Sequence, residues 1–301
     1  KNNFVEYSVN GQKIKSQSDD PDVPTNLEDP YNIELAFYGE GWSEELLDAF
    51  VAASEFLSSM IASGLVEDMA MSTNTGEMVT VDDLRIEASL SQGDGVGGIV
   101  GGAEVEAVRS SDGEMADGLP VLSLMNFDVD DANALLEQGI WDDLVLHEMF
   151  HAMGFGSPLW AAGNIAIGDF ELGGPIGPFP VVLEADLFFT GDNVVQAVVA
   201  DGGMQLPQLS GVFFTPDGAN FFSTYDGHRD EVVFDNALMT PTLSTEENVL
   251  LDITLASMAD LGYELTLDLT TEDNPLSEGI DLVAENNVNF TDFAEDVLML
   301  G

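Results

Sequence analysis

A chain in which 56 Asp and Glu stand against only 6 Lys and Arg repels itself. It can fold only by burying enough apolar surface to overcome both that repulsion and the entropy of ordering the backbone. The means are present: 45% of the 301 residues are hydrophobic, with 18 Phe and 3 Trp, enough for one large domain or a pair of lobes. The formal charge of -50 excludes nucleic acid and anionic lipid as partners, because binding either needs basic side chains to neutralise phosphates. The same charge fits a secreted protein in a saline or calcium-rich setting, where salt shortens the Debye length or divalent ions bind the carboxylates. Zero Cys removes disulfides, thiolate zinc sites and cysteine nucleophiles together. No run reaches the ~18 to 20 apolar residues of a membrane-spanning helix, so no membrane insertion is expected. The chain begins at Lys1 without a basic and apolar leader, and any export signal is expected to lie outside it.

Residues 1 to 29 are polar and rich in breakers, which predicts an N-terminal extension. Residues 30 to 265 are expected to form the main domain, with an upper lobe over about 30 to 156 and a lower lobe over about 157 to 265. Residues 266 to 301 read as an acidic tail or appended strands. Within the domain, YNIELAFYG alternates as a strand, and the following SEELLDAFVAASEFLSSMIASG has helical spacing. VDDLRIEASL and PVLSLMNFD read as further strands, and GDGVGGIVGGAE between them as too Gly-rich for regular structure. Asp128, Asp130 or Asp131 can cap a short helix ending at Gly139. Residues 155 to 225 are expected to be mostly loop, with a helix at NVVQAVVADGG. Residues 244 to 262 read as a helix with a Ser-x-x-Glu capping box and a terminal Gly.

IWDDLVLHEMFHAMG has helical spacing, acids in its first turn and a closing Gly. On that helix His147, Glu148 and His151 form an HExxH pattern. Positions i and i+4 share a helix face, so both imidazoles can reach one Zn²⁺ at ~2.0 to 2.1 Å, with Glu148 beside them as a general base for water. A catalytic zinc needs a third protein ligand and an open fourth position. His228 is the one His left, which makes it the default third ligand; a carboxylate such as Glu171 or Glu184 is the competing choice.

HEMFHAMGFG, then GHRDEVVFDNALMTP and DITLASMADLGYEL after a long insertion, resemble the leishmanolysin-like branch of the metzincin zinc endopeptidases, in a cysteine-free bacterial form. FVAASEFLSSMI, VDDLRIEASL and the segment from GLPVLSLMNF to GFGSPLW also resemble that family, so the likeness runs over roughly residues 30 to 265. The compact metzincin pattern would place a His at position 157, where this chain has Ser157. The leishmanolysin-like branch inserts a long segment before the third His, which the resemblance assigns to His228. It also implies a sharp turn at Gly154, a Met-turn at Met239 forming an apolar floor, and a substrate pocket walled in part by Pro241 and Thr242. Met239 read without the resemblance is ordinary core. With Pro241 two residues past Met239, no tyrosine ligand is expected.

The resemblance implies an α+β metzincin fold, with a twisted mixed sheet and the active-site helix in the upper lobe and a loop-rich lower lobe carrying a C-terminal helix. It implies a secreted zinc endopeptidase acting on extended polypeptides. PVLSLMNF would be the edge strand that pairs with substrate, although an interior strand accounts for it equally. The alternative function is a non-catalytic acidic extracellular protein with a structural zinc site. Calcium is a second candidate cofactor, from acids such as Asp94, Asp128, Asp130 and Asp131, with no EF-hand pattern to fix a site.

Overall fold

The computed structural model describes residues 6–15, 30–98, 100–109, 118–157, 165–173, 182–189, 191–200, 208–214, 228, 236–245, 248–267 and 280–281. The chain divides into two compact units, one comprising Lys1–Gly154, Gly262–Leu267 and Val283–Gly301, the other Phe155–Leu261 and Asp268–Leu282.

The first unit is built on a mixed, largely parallel sheet. Its strands are β1 (Glu6–Val9), β2 (Gln12–Lys15), β3 (Ile33–Gly39), β6 (Leu84–Ser91), β7 (Gly101–Val108) and β8 (Pro120–Asp128), in the order β2-β1-β3-β6-β8-β7. β1, β3, β6 and β8 run parallel, while β2 and β7 are antiparallel at the two ends. Parallel strands covered on both faces need near-continuous apolar runs. β8 meets that condition, with Asn126 its one exposed residue. A separate hairpin, β4 (Asp68–Met71) with β5 (Met78–Val81), packs Ala70 and Val81 on Val121 and Leu122 of β8.

Three helices complete this unit: α1 (Glu44–Met60), α2 (Val129–Gln138) and α3 (Trp141–Ala152). Ser43 caps α1 by accepting the Leu46 N–H, and Asp128 caps α2 by accepting from Asp130. Gly139 closes α2 in the left-handed conformation. Phe50 of α1 meets Phe37, Trp42 and Phe127 edge-on, with Trp141 tilted against it at 6.2 Å. The Trp141 indole N–H donates to the Leu46 carbonyl, joining α3 to α1. These rings are the centre of the core, and such pairs stabilise by about 0.5 to 1.5 kcal/mol beyond the area they bury.

In the second unit β9 (Ile165–Gly173), β10 (Val182–Phe189) and β11 (Gln208–Phe214) form an antiparallel sheet in the order β11-β10-β9. Two helices, α4 (Asp192–Ala200) and α5 (Asp252–Leu261), pack together. The Asp260 carboxylate of α5 accepts the Asn193 and Val194 N–H groups at the start of α4, which satisfies donors the helix itself leaves open. β12 (Val249–Leu250) pairs with β13 (Ile280–Asp281).

Several expectations need correction. Within the expected extension, residues 6–15 are a hairpin that joins the main sheet; Asn10 (φ 47°) and Gly11 (φ 77°) form its two-residue turn. The Gly-rich segment feeds β7, and Gly101 is there because a Cβ would strike the Phe127 ring. β8 is interior, paired with β6 and β7, so it cannot receive a substrate strand; β7 is the end strand. The expected loop region contains β9, β10 and β11. The helix expected from residue 244 starts at Asp252, because Ser244 and Asn248 instead bond to each other in a turn and Val249–Leu250 enter a strand.

Two of the three Arg lie inside the first unit. Arg109 donates to the carbonyls of Val66, Asp82, Asp83 and Pro120, tying together three segments of the chain. Arg85 pairs with Glu34 and with Glu87, whose carboxylate also accepts from Asn74. Burial alone would raise the Glu87 pKa, but hydrogen bonds from Ser72, Asn74 and Arg85 outweigh it and hold the group below its ordinary 4.5. A depressed carboxylate stabilises the fold above its unfolded pKa and loses that contribution as pH falls through the folded value. Glu87→Gln should therefore cost about 1 to 3 kcal/mol at pH 7 in urea unfolding. The gap from wild type should narrow as pH drops below about 4.5; a gap unchanged down to pH 3 would refute the ionised network.

Candidate metal centre

α3 places the three residues of the HExxH pattern. Its sequence leaves few faces for solvent: every residue from Leu144 to Phe150 is buried, as are Trp141, Asp143 and Ala152. Asp142 and Asp143 sit in the first turn, where the helix dipole favours negative charge, and no side chain caps Ile140. Polar groups carried by such a helix enter the interior. His147 is 4% exposed and Glu148 6%, while His151 is half-buried. Placing an imidazole and a carboxyl there costs free energy that only polar partners or a bound ion can offset.

The one-turn spacing brings the two rings together. His147 Nε2 and His151 Nε2 are 3.1 Å apart, with ring centroids 4.8 Å apart at 72°. Two nitrogens each ~2.0 to 2.1 Å from one ion must lie within about 4.1 Å of each other, a condition this pair meets. His228 joins them: one ligand atom from each of His147, His151 and His228 lies within 4.8 Å of the others, a group able to hold a metal ion. Three neutral imidazoles are a donor set suited to zinc and other late first-row divalent ions. Glu171 and Glu184, the carboxylate alternatives, stand opposite each other in the β9–β10 ladder, and their side chains lie outside the described residues.

The C-terminal end of α3 is fixed from two sides. Ser123 of β8 donates its hydroxyl to the Ala152 carbonyl at 2.6 Å, and the Tyr263 hydroxyl donates to the Met153 carbonyl at 3.0 Å. Helix ends leave carbonyls without intrahelical partners, so these two bonds satisfy groups that would otherwise be buried and unmet. Burial pushes the Tyr263 phenol well above its ordinary pKa, so it stays a hydrogen-bond donor at any physiological pH. The chain then leaves the helix at Gly154, whose φ of +106° only glycine adopts without strain. Neither Ser123 nor Tyr263 was singled out by the sequence; a hydroxyl inside the apolar run PVLSLMNF was the available signal.

Met239 is fully buried in a turn where the Thr240 N–H and hydroxyl both bond to the Ala237 carbonyl. Leu238 and Val249 extend that turn by a backbone bond of 2.8 Å. Pro241 and Thr242, just beyond it, are exposed. Asp94, Asp128 and Asp131 form a second group able to hold a metal ion.

No protein-family model matches the chain, and no curated protein matches it. The site therefore stands on its own chemistry. His228→Ala should weaken zinc binding more than about 100-fold in a chelator competition, since even outer-shell partners of zinc ligands are worth 10 to 100-fold. Zinc retained at wild-type affinity would transfer the third position to a carboxylate such as Glu171 or Glu184.

Proposed function

We propose that the chain is a secreted zinc endopeptidase of the metzincin type, with His147, His151 and His228 as the metal ligands and Glu148 as the catalytic acid and base. The observation that carries the reading is the convergence of three imidazoles, two of them from one buried helix that also presents Glu148. When bound, zinc supplies a Lewis acid that activates water at neutral pH and polarises a peptide carbonyl.

The chain's own residues supply the rest. His147 and His151, with Nε2 atoms 3.1 Å apart, would hold the metal with His228, on a helix whose end Ser123 and Tyr263 fix. Glu148, buried beside His147, takes a proton from the attacking water on a carboxylate oxygen. Water oxygen joins the carbonyl carbon, the C–N bond breaks, and Glu148 returns the proton to the leaving amine nitrogen. β7 lies at the end of the sheet beside β8, so an extended polypeptide adding to its outer edge would be held by backbone bonds, with little dependence on sequence. In this reading buried Met239 serves as the apolar floor of the Met-turn, and exposed Pro241 and Thr242 contribute to the substrate pocket. Three ligands among the described residues and an adjacent carboxylate favour an open catalytic site over a structural zinc, which four protein ligands normally close.

Hydrolysis of unfolded casein by zinc-loaded protein tests this reading. Wild type should cleave, and Glu148→Ala should bind zinc equally while losing about 10² to 10⁴ of the rate. Zinc bound with no cleavage by wild type across several unfolded substrates would favour the structural-zinc alternative.

A further inference from the structure

The Asp94, Asp128 and Asp131 group lies well outside the histidine cluster in the sequence and uses none of its residues. Acidic clusters are common on so charged a protein, but this one is mostly interior: Asp128 is 5% exposed and Asp131 3%, with Asp94 alone at the surface. The three carboxylates each bring an oxygen to within 4.8 Å of the others. Among the described residues no Lys, Arg or His pairs with any of them. Among the described residues, the positive end of α2, whose first turn contains Asp131, and backbone N–H groups of the adjoining loop supply the compensation.

The hydrogen bonds show what the cluster lacks. Asp128 accepts from the Asp130 N–H on Oδ1 and the Gly95 N–H on Oδ2, and the Gly93 and Asp131 N–H groups also bond to its carboxylate. Asp131 accepts from the Gly97 N–H on Oδ1, while its Oδ2 is buried and has no hydrogen-bond partner. An unmatched carboxylate oxygen in the interior is costly unless a cation meets it. Asp130, next to the cluster, is engaged elsewhere by the Gln92 amide.

The loop over residues 92–98 is shaped around these carboxylates. A Cβ at Gly93 would collide with Asp128 Oδ2, and one at Gly98 with the Asp94 carboxylate; Gly98 also has a φ of +93°. The glycines let the backbone come close to the acids. Three carboxylates completed by water oxygens are a hard-oxygen donor set that suits Ca²⁺, which takes six to eight oxygens and tolerates irregular geometry. Mg²⁺ demands a near-ideal octahedron and parts reluctantly with its water, so it suits this set less well.

We infer that Asp94, Asp128 and Asp131 bind a calcium ion that staples the 92–98 loop to the end of β8 and the start of α2. α2 leads directly into α3, so the ion would brace the segment that delivers the metal-binding helix. The inference does not depend on peptidase activity or on zinc.

The test is thermal unfolding of the full chain in about 1 M NaCl, where a Debye length of ~3 Å suppresses diffuse cation binding to the remaining surface. At about 10 mM CaCl₂, a hundredfold over a dissociation constant of ~10⁻⁴ M, Tm should rise by roughly 5 °C or more, and by much less with MgCl₂. Asp131→Asn keeps an acceptor for Gly97, and it should abolish the calcium-specific rise. Asp94→Asn, at an exposed position, should reduce it strongly and decides the matter if Asp131→Asn does not fold. Glu137→Gln, an exposed acid on α2 outside the cluster, should leave it intact. A wild type with no calcium-specific rise, or a rise that survives Asp94→Asn and Asp131→Asn alike, overturns the site.

Discussion

The first unit depends on burying α3 on nearly every side. A helix in that position is held by packing, here by Trp141 against Phe50 and Phe127, and not by an amphipathic stripe facing water. Whatever polar groups such a helix carries must be satisfied inside the protein. Ser123 and Tyr263 satisfy the carbonyls at its C-terminal end. Among the polar groups it carries, His147 and His151 form an imidazole pair with nitrogens 3.1 Å apart which, with His228, could hold a metal ion. The same rigidity that orders the helix would keep ligand atoms in place before metal arrives, which limits the ordering cost of binding.

The charge imbalance reads differently once positions are known. Arg85 and Arg109, two of six basic side chains, are buried in the sheet of the first unit, where they bond to carboxylates and carbonyls. Scarce cations thus do interior work, and surface acids depend on salt or divalent ions for relief. The Asp94, Asp128 and Asp131 cluster extends that logic to carboxylates with which, among the described residues, no basic side chain pairs. A protein built this way should be more stable in saline, calcium-containing solution than in dilute buffer.

Much of the site was legible because its signals are local. The i, i+4 spacing of His147 and His151 fixes a shared helix face, and Gly139 and Gly154 mark the ends of α2 and α3 by needing positive φ. Strands β3 and β8 were legible one by one from their apolar patterns, while their assembly into a mixed sheet was implied by the family resemblance alone. What failed was non-local. Whether β8 lies inside or at the end of a sheet depends on β7, and Gly101, one of the glycines that mark β7 as irregular in sequence, is what lets it lie on Phe127. The Ser-x-x-Glu motif at 244 lost to a Ser244–Asn248 turn and a strand, a competition between local hydrogen bonds that propensity does not rank. The β1–β2 hairpin had a readable Asn-Gly turn, but its strands, EYSV and QKIK, are only four residues each, too short for their alternation to stand out.

Zinc-edge X-ray absorption on stoichiometrically loaded protein addresses the central claim most directly. Three imidazole nitrogens at ~2.0 to 2.1 Å with one non-protein oxygen, falling to two imidazoles in His228→Ala, is the predicted result. Four protein ligands in the wild type, or a first shell unchanged by His228→Ala, would contradict an open three-histidine centre.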